Sequence, residues 1–246
     1  MSWREFWNGT HSIYVNDRHR LLHYDMVAND IVALMDTPVS VVLDHGCGEA
    51  SAAGAVAARA GTLYLYDAAP NVQEKLRQRF EQHSGIQVLS GEALQRLPKS
   101  SLDLIIVNSL LQYLTGTEFG GLLDFWHGKL KDSGRLVLAD VIPPGVGPLT
   151  DVKALLGFAW RGGFMLAALR GLVVTFFSSY RKLRGQLGLA HYTGQQVAEL
   201  GTAHGFRCER AARNIGHNQA RSCFLLSKNC DSGPKQQADG SAPDRS

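Results

Sequence analysis

The sequence predicts an α/β fold built on a parallel sheet. Two observations lead there. From Val39 to Ser227, short β-branched runs alternate with longer amphipathic stretches, the rhythm of β-α-β units. The runs are also nearly continuous in apolar residues, as strands covered on both faces by helices should be.

Five runs are read as strands: Val39 to Asp44, Thr62 to Asp67, Ile86 to Leu89, Leu102 to Val107 and Arg135 to Asp140. Between them, Ser51 to Ala60, Asn71 to His83 and Glu118 to Leu130 are read as helices, with Gly61 stopping the first and Asn71 capping the second. After the fifth strand the rhythm breaks. Pro143, Pro144, Gly145, Gly147 and Pro148 form a stiff loop, and Thr150 to Leu189 has helical composition with no strand. A helix from Thr193 to His204 follows, then FRCERAARNI and ARSCFLLS, two strands joined through Gly216, His217, Asn218 and Gln219 and expected to pair antiparallel. Three regions are thus expected: residues 1–36 as a helical, aromatic cap, residues 37–228 as the main domain with a helical insertion over about 145–192, and residues 229–246 as a disordered tail.

Composition narrows the class. The chain has 246 residues, 45% hydrophobic and 19% charged, enough for a full core and incompatible with disorder throughout. Lys plus Arg total 25 against 22 for Asp plus Glu, and no basic run marks a nucleic-acid footprint, so no nucleic-acid partner is expected. Cys47, Cys208, Cys223 and Cys230 lack metal-ligand spacing, which argues against structural zinc and a disulfide framework. The first twenty residues carry charges and aromatics where a signal peptide needs an apolar stretch, so a cytoplasmic location is expected. Ala154 to Phe177 is the most apolar window, but Arg161, Arg170 and its glycines point to buried or interfacial helix rather than a membrane span.

The motif richest in information follows the first strand. VSVVLD runs into HGCGEAS and then a helix, which puts Gly46 and Gly48 in a turn where the backbone bends tightly and approaches a ligand. Asp67 ends the second strand 19 positions after Gly48 (67 − 48), near the ~20-residue offset at which an acid can hold ribose hydroxyls. A dinucleotide would put its pyrophosphate at the helix start, where Glu49 places a negative charge. S-adenosylmethionine has no phosphate and carries a positive amino group and sulfonium, which Asp44 and Glu49 favour.

On these residues the sequence resembles the class I S-adenosylmethionine-dependent methyltransferases, whose first motif, acid-x-Gly-x-Gly-x-Gly/Ala, appears as Asp44, Gly46, Gly48 and Ala50. The resemblance covers Val39 to Ser227 and extends to small-molecule enzymes of the quinone and polyketide type. It implies a Rossmann-like, seven-stranded, mostly parallel sheet in which the last strand runs antiparallel beside the fifth. It also implies that Asp67 binds ribose, that Glu92 approaches the adenine, and that Asn108 and Ser109 close over the cofactor. His45 is an unusual occupant of its position, which is often apolar.

Residues that could face an acceptor are fewer. Tyr14 is singled out among the N-terminal aromatics, whose rings suit an apolar acceptor or a sulfonium but equally suit packing. His19 and His23 are i and i+4, a spacing that can bind metal, yet with no third ligand a polar helix face is the simpler reading, and no metal is required. His217 falls at the carboxyl end of the sheet, where an imidazole could take a proton from an acceptor or sit as an exposed turn residue. Gln112 and Tyr113 are similar cases. For the insertion, a lid over an apolar acceptor comes first and a peripheral membrane contact through Arg181, Lys182 and Arg184 second.

The function expected is therefore methyl transfer from S-adenosylmethionine to a hydrophobic small molecule (quinone, polyketide or lipid-like) by direct displacement. The alternatives are a protein that binds the cofactor without catalysis and an NAD-dependent oxidoreductase.

Overall fold

In the computed structural model, which describes residues 3–9, 14–35, 40–176 and 188–229, two helices precede the sheet: α1 (Trp3–Trp7) and α2 (Asp17–Ala33). The alternating region then runs β1 (Val41–His45), α3 (Ala53–Ala57), β2 (Thr62–Tyr66), α4 (Pro70–Phe80), β3 (Ile86–Val88), α5 (Gly91–Arg96), β4 (Leu102–Asn108), α6 (Gly116–Lys129) and β5 (Leu130–Val141). Two helices, α7 (Pro148–Gly162) and α8 (Met165–Phe176), interrupt the pattern before α9 (Gly194–Ala203), β6 (Phe206–Arg210) and β7 (Ser222–Lys228) close it. The strands form one seven-stranded sheet in the order β3-β2-β1-β4-β5-β7-β6. Every pair from β3 through β5 is parallel, and β7 runs antiparallel to both β5 and β6. This is the Rossmann-like arrangement that the resemblance implied.

Local chemistry accounts for the helix starts. Asn16 accepts a hydrogen bond from His19 N at 2.8 Å to start α2, and capping boxes start α6 (Thr115 with Glu118) and α9 (Thr193 with Gln196). Pro70 and Pro148 open α4 and α7, where a missing N–H has no cost. Asn71 is accordingly not the cap of its helix: Ala69 holds that position, and Asn71 N donates instead to Asn8 Oδ1 at 2.9 Å. Gly61 does not stop α3, which ends at Ala57; the Gly61 N–H bonds Ser40 O and leads the chain into β2.

Two further boundaries differ from expectation. β5 begins at Leu130, which pairs with Leu102 ahead of a register irregularity, so the strand expected from Arg135 starts five residues earlier, where the helix was expected to end. β6 stops at Arg210 instead of reaching Ile215. Asn214 and Gln219 explain the early end: Gln219 Nε2 donates to Asn214 O (3.0 Å) and Gly216 O (2.7 Å), and Asn214 Nδ2 donates to Asn218 O (3.0 Å). These side chains satisfy the backbone of a folded connection in place of a ladder.

Apolar side chains fill both faces of the sheet. α2 and α3 pack on one face around Ile31, Val56 and Leu65, while α6 and α9 cover the other around Phe119, Trp126 and Val197. A third, smaller cluster joins Phe158, Ala159, Phe164 and Ala168 of the insertion to Leu22 and Met26 of α2. The insertion is thus seated on the N-terminal helix. Of the expected tail (229–246), all but Asn229 lies outside the described residues, as do Arg181, Lys182 and Arg184.

Candidate active site

The carboxyl ends of β1, β2, β4 and β5 open into a cavity of about 550 Å³, within the range of about 300–1,000 Å³ usual for ligand pockets. Its walls are the glycine turn after β1, the end of β2, the segment after β4, the helix α2 and the β6–β7 connection.

The turn is shaped by conformation. Gly46 and Gly48 have φ of +83° and +57°, which glycine adopts without steric cost. A Cβ on Gly46 would lie 3.3 Å from Leu110 Cδ2, and one on Gly48 would lie 3.3 Å from Tyr24 Oη. Tyr24 Oη also accepts the Glu49 N–H at 3.1 Å, so α2 props the turn from outside. Asp67 holds it from within, accepting from Gly48 N at 3.0 Å and Ala69 N at 2.9 Å.

Charge is unbalanced on this side. Burial, with the nearby Asp67 charge second, pushes the Asp44 carboxyl up to about 7. Burial also raises Asp67, against the two N–H groups it accepts. Among the described residues, no basic side chain contributes at either carboxylate. A cation placed between them would restore the ordinary ionised state of both, and S-adenosylmethionine is a cation without phosphate. The residues present therefore fit that cofactor. Asn108, at the end of β4, lines the same cavity, and its buried Oδ1 has no hydrogen-bond partner among the described residues.

Asp44, Gly46, Gly48, Asp67 and Asn108 are brought together; Glu92 is not. Ser90 caps α5 and places Glu92 in the first turn, on the solvent side, where it pairs with Arg96 and its side chain is 72% exposed. The Glu92 carboxylate is thus outside the cavity lining, and its approach to the adenine stays what the resemblance implies. His45 is buried at the edge of the cavity and accepts a hydrogen bond from Trp126 Nε1 at 3.2 Å, which explains an imidazole at a commonly apolar position.

The opposite wall is built of rings. Tyr14 packs against His19, His23 and Tyr24 with centroid separations of 5.3, 5.5 and 5.7 Å. His217 stacks on Phe158 at 4.6 Å and meets His19 and His23 edge-on at 6.2 and 5.9 Å. His19 and His23 are therefore not a polar helix face: both look into the cavity. Burial is the first cause that lowers all three histidines, to about 4 for His19 and His217 and about 3 for His23. They are neutral near pH 7. Burial, with Tyr24 second, raises the Tyr14 phenol, which keeps its proton.

Sequence reasoning missed a polar cluster between these walls. Arg221, 9% exposed, donates to Gln112 Oε1 at 3.1 Å and Asp151 Oδ1 at 2.9 Å and lies 3.6 Å from Asp140. Asp140 accepts from Ser109 Oγ at 2.7 Å, and both residues have left-handed backbones, with φ of +57° and +58°. Strain of that kind at a cavity edge, held by side-chain bonds, is a mark of a functional position. A signal existed: the runs VSVVLD, TLYLYD and RLVLAD each end in Asp, at Asp44, Asp67 and Asp140. Arg221 gave none, being hidden at the start of an apolar strand.

Comparison with known proteins agrees with this geometry. Residues 43–138 match the model of a methyltransferase domain. Among solved structures, the chain is similar to the pyocyanin biosynthetic protein PhzM, with a TM-score of 0.60 and 15% identity over 93% of this chain and 62% of that one. It is similar to the mitomycin 7-O-methyltransferase MmcR, with a TM-score of 0.59 and 15% identity over 86% of this chain and 56% of that one. The magnesium protoporphyrin IX methyltransferase ChlM from Synechocystis PCC 6803, crystallised with bound SAH, gives a TM-score of 0.53 and 16% identity over 91% and 90% of the two chains. Such identities speak for the fold. No curated protein matches the chain in sequence.

Proposed function

We propose that this chain is a class I S-adenosylmethionine-dependent methyltransferase that acts on an apolar small molecule of the quinone, polyketide or other lipid-like kind by direct displacement. S-adenosylmethionine supplies an electrophilic methyl group whose bond to sulfur breaks as the bond to the acceptor forms. The protein's part is to hold donor and acceptor in line and to exclude water.

The observation that carries this reading is the continuity of one cavity from Asp44 and Asp67 to the ring-lined wall of His19, His23 and His217. Asp44, Gly46, Gly48, Asp67 and Asn108 hold the cofactor side. At the far side, neutral His217 is suited to accept a proton, and Tyr14, whose hydroxyl is hydrogen-bonded to Tyr24, to present its ring and oxygen to the acceptor, so these two orient the acceptor or relieve it of a proton. Phe158 of α7 stacks on His217, which supports the reading of the insertion as a lid on that end. PhzM and MmcR, both similar in fold, are named as a pyocyanin biosynthetic protein and a mitomycin 7-O-methyltransferase, and this supports a small-molecule acceptor.

The experiment is a pair of calorimetric titrations, S-adenosylhomocysteine against NAD, followed by a single-turnover assay with methyl-labelled cofactor and a hydrophobic extract. Binding of the first ligand and label in an organic-soluble product support the reading. Preference for NAD overturns it.

A further inference from the structure

Of the six large hydrophobic residues exposed among the described residues, all but Leu21 lie on α7 and α8. Leu149, Trp160 and Leu166 are 79%, 77% and 85% exposed. They follow helical spacing. Leu149, Lys153 and Trp160 share one stripe of α7, and Leu166, Leu169, Arg170 and Val173 share one stripe of α8. The inner faces of the same helices are already occupied, since Phe158, Phe164 and Ala168 bury against α2 and the Arg18 side chain bonds Gly162 O at the turn between the helices. The outer face is therefore surplus to packing.

Its charge is one-sided. From Val152 to Ala198 the chain contains no Asp or Glu, and Lys153, Arg161 and Arg170 stand exposed along the hairpin. No helix among the described residues is long and apolar enough to cross a membrane. Apolar residues with an exposed Trp, framed by basic side chains and without acids, match the physical demands of a surface helix lying in the headgroup region. A two-fold contact with a second copy would set these cations against one another with no acid to answer them.

We propose that the outward face of the α7–α8 hairpin docks on an anionic lipid surface, Trp160 and Leu166 entering the interface and Lys153, Arg161 and Arg170 meeting the headgroups. The same α7 stacks Phe158 on His217 of the cavity wall, so docking places the acceptor end of the site beside the bilayer; that consequence rests on the acceptor reading above.

The test is flotation of the full chain with vesicles of phosphatidylglycerol and phosphatidylcholine, against vesicles of phosphatidylcholine alone. The wild type is expected to float with the anionic vesicles only and to be released by salt. K153E/R170E is expected to weaken binding about fivefold or more for each residue changed. W160S/L166S is expected to abolish binding while its thermal unfolding stays that of the wild type, because both residues are exposed. Absence of wild-type binding to anionic vesicles, or binding that survives both double variants, overturns the proposal. So does a wild-type dimer that W160S/L166S dissociates, which would make this face a contact between copies. S-adenosylhomocysteine titration of the same samples without vesicles separates this result from the fate of the cofactor reading.

Discussion

The Asp67 carboxylate accepts the backbone N–H of Gly48 at 3.0 Å, joining the end of β2 to the turn after β1. Asp67 also accepts Ala69 N and so fixes two loops at once. Asp67→Ala leaves two N–H groups without their acceptor, at about 1–3 kcal/mol each where water cannot replace it. The expected outcome is a lower melting temperature and at least a tenfold loss of affinity for S-adenosylhomocysteine by calorimetry. Unchanged affinity would remove Asp67 from the cofactor site.

Asp44 should trade stability for binding. Its carboxyl is held up at about 7, above the ordinary 3.8, so the folded state keeps a proton that the unfolded chain has lost, and stability falls as pH rises through that interval. Asp44→Asn is therefore expected to melt higher than the wild type at pH 8, on the order of 5 °C, while binding the cofactor more weakly. In the wild type, cofactor affinity should decline below about pH 7 as Asp44 takes up its proton. Calorimetry at pH 6.5 in buffers of different ionisation enthalpy should show proton release on binding, and Asp44→Asn should lose it.

The ring-lined wall titrates with the opposite sign. His19, His23 and His217 have folded-state values of about 4, 3 and 4, below the ordinary 6.5. The unfolded chain thus binds more protons below about pH 6.5, and the stability these residues give above that point is lost as pH falls toward about 4. His23→Leu should flatten the decline of the urea midpoint across this window relative to the wild type. A decline as steep as the wild type's would place the His23 ring in solvent.

Much of this architecture was legible in the sequence, and for identifiable reasons. The period of apolar runs gave the strands of the parallel part, and the strand-turn-helix chemistry of Asp44, Gly46, Gly48 and Asp67 gave the cradle, because both are local in the chain. What stayed hidden depends on distant partners. Glu92 could not be told from a cavity acid until the Ser90 cap turned it outward. His19 and His23 looked like a polar stripe until Phe158, Phe164 and His217, more than a hundred residues on, enclosed them. Arg221 acquires meaning only beside Asp140, Asp151 and Gln112.

His45 is explained by a partner 81 positions away, Trp126. Trp126→Phe keeps the ring volume near that of a core aromatic but leaves the buried His45 Nδ1 without its donor, at about 1–3 kcal/mol. A fall of several degrees in melting temperature is expected, with cofactor affinity little changed, since Trp126 does not line the cavity. Loss of binding without loss of stability would contradict the purely structural role of this pair.

The cradle and the ring wall have separate origins in the chain. Residues 43–138 contain the glycine turn, Asp67 and Asn108, whereas His19, His23, Asp151, Phe158, His217 and Arg221 all fall outside that stretch. Under the proposed function these are donor and acceptor halves that can diverge at different rates, so a lineage could exchange its flanking segments and acquire a new acceptor while the donor half stays as it is.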